Sequence, residues 1–81
     1  MPGAAAAFHL VATTALRDRG EAATIVRVAA VIGEHPNAFG RHVRGEVSPS
    51  EARVADWCRA WVAAGYEPIT LRVGPDGWAP T

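Results

Sequence analysis

Four glycines set the tightest limit on what this chain can fold into. Gly20, Gly33, Gly45 and Gly65 each follow a segment whose apolar residues recur at three- and four-residue spacing. A glycine just beyond such a segment is where a helix stops, because it takes the left-handed backbone without a side-chain clash. The expected elements are four short helices, at about 4–18, 24–33, 36–44 and 51–64. The first puts Phe8, Val11, Ala12, Ala15 and Leu16 near one face. Thr24 caps the second, which carries Ile25, Val28, Ala29 and Ile32 inward. Pro36 sits in the first turn of the third, where its missing N–H has no partner to lose; Phe39 and Val43 are its inward anchors. Ser50 caps the fourth, whose stripe is Val54, Trp57, Cys58, Trp61 and Val62.

After Gly65 the period changes. Ile69, Leu71 and Val73 alternate with Thr70 and Arg72, which predicts one short strand at about 68–73, bounded by Pro68 and a turn at Gly74-Pro75-Asp76-Gly77. The whole reads as a single mainly α domain over 1–81 with a short C-terminal β-strand. A chain of 81 residues with 49% hydrophobic and 20% charged residues has a globular composition.

No apolar run reaches the roughly 18 residues of a membrane span. The alanine-rich start lacks a basic leader and is read as a helix rather than a secretion signal. The lone Cys58 cannot form an internal disulfide; a cytoplasmic setting and a packing role are expected of it. His35 and His42 have no nearby cysteine or paired acid, so no metal site is expected. Neither a phosphate-cradling glycine loop nor a nucleophile–base signature occurs. Neither catalysis, a cofactor nor a small-molecule substrate is expected.

The formal net charge is zero, but it is unevenly spread. From Arg27 to Arg44 three arginines face one acid, Glu34; from Glu46 to Glu67 four acids face Arg53 and Arg59. One basic and one acidic region still permit modest binding to a phosphate backbone. The basic region, TIVRVAAVIGEHPNAFGRHVRGEVSP, has the outline of a helix-turn-helix, whose second helix lies in the major groove of DNA.

This stretch resembles the helix-turn-helix of phage repressor and Cro-type regulators, the XRE or lambda-repressor-like family. Ala29 and the Ile32-Gly33 pair match the end of the family's second helix. The spacing from Gly33 to Gly45 matches its turn and recognition helix, with Phe39 at a buried position. Glu46-Val47-Ser48-Pro49-Ser50 matches the loop that opens its fourth helix. Three residues depart from the pattern: Ile25 stands where glutamine is common, Glu34 where the turn is usually apolar, and Pro36 where a base reader is common. The resemblance implies a four-helix fold and sequence-specific binding of double-stranded DNA as a repressor. It further implies base contacts at Pro36, Asn37 and Arg41, and backbone contacts at Thr24, His35 and Arg44. Asparagine can pair with adenine and arginine with guanine through two hydrogen bonds each. The small residues Ala38 and Gly40 are expected to let the helix sit close to the groove wall.

A single recognition helix reads few base pairs, so a homodimer on a palindromic operator is expected. With no second strand predicted in the chain, Ile69, Leu71 and Val73 are the expected pairing edge, supported by Trp61 or Trp78. The alternative is an antitoxin or accessory module that uses the same fold to grip a protein. A factor that bends DNA during recombination is a lesser alternative.

Overall fold

The computed structural model describes residues 3–81. The chain is mainly α: α1 (Ala4–Asp18), α2 (Ile25–Ile32), α3 (Pro36–Val43) and α4 (Glu51–Ala63) precede an antiparallel hairpin of β1 (Leu71–Gly74) and β2 (Gly77–Pro80). The first two residues of the expected 1–81 domain lie outside the described residues. None of the described helices is long and apolar enough to cross a membrane.

All four helices stop in the same way. The N–H of the residue after the glycine returns to a carbonyl one turn back: Glu21 to Leu16, Glu34 to Ala29, Glu46 to Arg41, and Tyr66 to Trp61. This hydrogen bond requires a left-handed residue between the helix and its exit, and the four glycines have φ between 72° and 96°. The last stop is reinforced by its side chains, since the Tyr66 ring stacks on Trp61 at 4.1 Å. The starts are fixed by side-chain acceptors. Thr24 accepts from the Arg27 N–H and Ser50 from the Arg53 N–H, each at 3.1 Å. At α3 the cap is His35, whose Nδ1 accepts from the Asn37 N–H at 3.1 Å, ahead of Pro36 at the first helical position. Only α1 has no side-chain cap; its run of alanines, the best helix former, compensates.

The core is aromatic. Phe8 of α1 lies 6.4 Å from Phe39 of α3, and 5.8 and 6.0 Å from Trp57 and Trp61 of α4, with Phe39 and Trp57 edge-to-face at 5.3 Å. Leu16, Val28, Ala29 and Ile32 fill in around these four rings. One expected member is absent, because Val62 is 45% exposed. On α4, Trp57 and Trp61 already define the buried line through one face, and Val62 lies a full residue rotation away from it.

The C-terminal region departs from the expected lone strand. The strand begins at Leu71 rather than near residue 68, and it has a partner in its own chain. Leu71 pairs with Pro80, Arg72 with Ala79, Val73 with Trp78 and Gly74 with Gly77. Pro75 and Asp76 form the two-residue loop, a natural turn sequence with proline second and glycine fourth. β2 packs against α1, and Trp78 lies against the edge of the core. The premise that this strand has no partner within its own chain is therefore corrected. Ile69 precedes the strand and is buried in its own core, Leu71 is half-buried, and Val73 is 66% exposed.

Candidate nucleic-acid interface

α2, the turn through Gly33 and α3 form a compact unit, with α3 held by the fully buried Phe39 and the half-buried Val43. Side chains one helical turn apart share a face, so anchoring at 39 and 43 leaves 37, 41 and 44 on the outside. Asn37, Arg41 and Arg44 are all exposed, as are Thr24 and His35, while Pro36 is half-buried. The six residues singled out for DNA contact thus sit at the starts of α2 and α3 and along the outer face of α3. His35 uses the Nδ1 lone pair as a cap, which leaves the proton on Nε2 as its free donor.

Pairing redistributes the charges from what the sequence count implied. The Arg44 Nε donates to Glu46 Oε2 at 2.5 Å, and Arg27 pairs with Glu21 at 2.9 Å. Both acids fall just outside the 27–44 window in which three arginines faced a single acid. Of those arginines, Arg41 alone has no ion-pair partner among the described residues. The Arg27 hydrogen bond holds the Glu21 carboxyl below its ordinary range, helped by the Tyr66 hydroxyl, which donates to the same group.

Glu34, the departure in the turn, has a clear role. It is only 16% exposed on its side chain, and both carboxylate oxygens accept from Arg53 Nη1, at 3.1 and 2.8 Å. The turn before α3 is thereby tied to the first turn of α4. Nineteen positions separate the two residues, so no local spacing in the sequence signals the pair. Gly40 has a role of a different kind. It is buried, and a Cβ there would lie 3.1 Å from Arg44 Nη1. Its smallness makes room for the Arg44 side chain to fold back along α3, and Arg44 is what covers it.

Two other histidines bear on α3. The His42 ring packs edge-on against Trp57 at 5.6 Å, and its Nδ1 donates to the Val47 carbonyl at 2.8 Å, holding the loop that follows α3. The His9 ring packs against Phe39 at 5.9 Å. Burial, and then the charge of Arg17, push the His9 imidazole below its ordinary 6.5. Burial also raises the Cys58 thiol. Among the described residues no three His, Cys, Asp or Glu side chains gather as a metal site would require. Comparison of the chain with protein-family models, curated proteins and solved structures finds no match.

Proposed function

We propose that this chain is a sequence-specific double-stranded-DNA-binding regulator of the Cro-like, lambda-repressor-like kind, acting as a homodimer on a two-fold operator, with α3 in the major groove. One observation carries the reading: α3 is anchored inward by Phe39 while Asn37 and the unpaired Arg41 stand exposed one turn apart on its other side. Asparagine and arginine are the side chains that read adenine and guanine bidentately, each good contact giving ~1–3 kcal/mol of discrimination. Thr24, His35 and Arg44 flank them as backbone contacts, Arg44 exchanging Glu46 for a phosphate. Because Arg27 and Arg44 already have carboxylate partners, non-specific affinity is weak and its salt dependence shallow.

The second reading, a protein-gripping antitoxin or accessory module, draws on the exposed Val62 of α4 and Val73 of β1. Selection from a random duplex library separates the two. The DNA reading expects recovery of a two-fold symmetric site whose enrichment disappears with Arg41→Ala. The protein-module reading expects no enrichment from the wild type and no effect of that substitution on partner binding.

A further inference from the structure

We propose that the groove between α1 and the hairpin binds a small molecule with an apolar body and a single carboxylate. The groove is about 610 Å³ in volume, with Leu10 of α1 on one side and Trp78 and Pro80 of β2 on the other, a size within the ~300–1,000 Å³ of natural ligand pockets. Leu10, an apolar side chain, is 59% exposed there. His9, Thr13 and Arg17 also line the groove. They are spaced at one helical turn each and run about 12 Å along α1 at 1.5 Å per residue.

Their chemistry selects the ligand. The Thr13 hydroxyl is committed to the carbonyls of His9 and Leu10, at 2.9 and 3.1 Å. His9 Nδ1 is buried without a partner, an environment that favours the neutral tautomer with its proton on Nε2. Arg17 is exposed and has no ion-pair partner among the described residues. Arg17, two helical turns from His9, is the one cation lining this apolar trough, and it complements a single anionic head on an apolar body. A cation is repelled by Arg17, and a polyanion finds only one positive group. The site is independent of the DNA reading, although His9 touches the Phe39 ring that anchors α3.

The test titrates the full chain with 2-naphthoate, followed by tryptophan fluorescence and amide NMR. The expected result is saturable binding with shifts confined to residues 6–17, Ala23, Trp78 and Ala79. Arg17→Gln, an exposed change that leaves the circular dichroism unaltered, weakens it about fivefold, the upper end for one exposed charge pair. Neutral 2-naphthylmethanol binds weakly and is indifferent to Arg17→Gln. The proposal is overturned by absence of saturation up to the solubility limit, by equal binding to Arg17→Gln, or by shifts elsewhere. Concentration-dependent self-association that Leu10→Gln abolishes would also overturn it, by assigning the groove to a second copy of the chain.

Discussion

Of two glycine-to-alanine substitutions flanking and within α3, one should destabilise the fold and the other should not. At Gly33, φ is 74° and nothing lies within 4 Å of where a Cβ would be. The cost of Gly33→Ala is therefore purely one of backbone conformation, ~1–2 kcal/mol for a non-glycine residue held left-handed. At Gly40 the backbone is helical, and the only close neighbour is the guanidinium of Arg44, 3.1 Å away at the end of a flexible side chain. Alanine there gains up to ~1 kcal/mol of helix propensity. It loses at most part of the exposed Arg44–Glu46 pair, ~0–1 kcal/mol. Urea unfolding followed by far-ultraviolet circular dichroism measures both. With a slope of roughly 1 kcal/mol per molar for so small a domain, Gly33→Ala lowers the midpoint by about 1–2 M. Gly40→Ala leaves it unchanged or raises it by up to about 1 M. A Gly33→Ala midpoint equal to wild type would refute the argument that the left-handed stop holds the turn, and a destabilised Gly40→Ala would refute the account of Arg44 as the yielding neighbour.

Thr24→Ala removes the acceptor for the Arg27 N–H and should cost ~1 kcal/mol by urea unfolding. A double-mutant cycle on Glu34→Gln and Arg53→Gln should give a favourable coupling of ~0.5–1 kcal/mol, discounted because Arg53 is half exposed and reduced further by salt; zero coupling would remove the tie between the turn and α4. Because the folded state holds His9 below 6.5, the unfolded chain binds the extra proton first. Stability contributed by neutral His9 is thus complete above about 6.5 and is lost as pH falls through the folded value. His9→Leu should flatten that part of the stability–pH curve, and an unchanged slope would contradict the assignment.

The helix boundaries could be read from the sequence because each rests on a local device. A glycine that must turn left-handed, or a Thr or Ser that must accept an N–H, acts within one turn and depends little on the rest of the fold. What could not be read depends on tertiary partners. β2, Gly-Trp-Ala-Pro, has no alternating signature and owes its pairing to the tight Pro75-Asp76 turn and to packing of the hairpin on α1. The Glu34–Arg53 tie needs α4 folded against the turn. The apparent basic window lost weight once Glu21 and Glu46 reached into it from either side. Val62 satisfied helical spacing, but two tryptophans one turn apart already occupied the buried face. The outward residues of α3 followed from its inward anchors, since Phe39 and Val43 leave no other face for Asn37 and Arg41.

The central claim is that the outer face of α3 meets duplex DNA, and amide NMR during titration with a mixed-sequence duplex at low ionic strength tests it most directly. The account predicts that shifts concentrate at Thr24, His35, Asn37 to Arg41 and Arg44, and that Arg41→Ala shrinks them while leaving the rest of the spectrum in place. Shifts confined to α4 and the hairpin, or none at all, would contradict it.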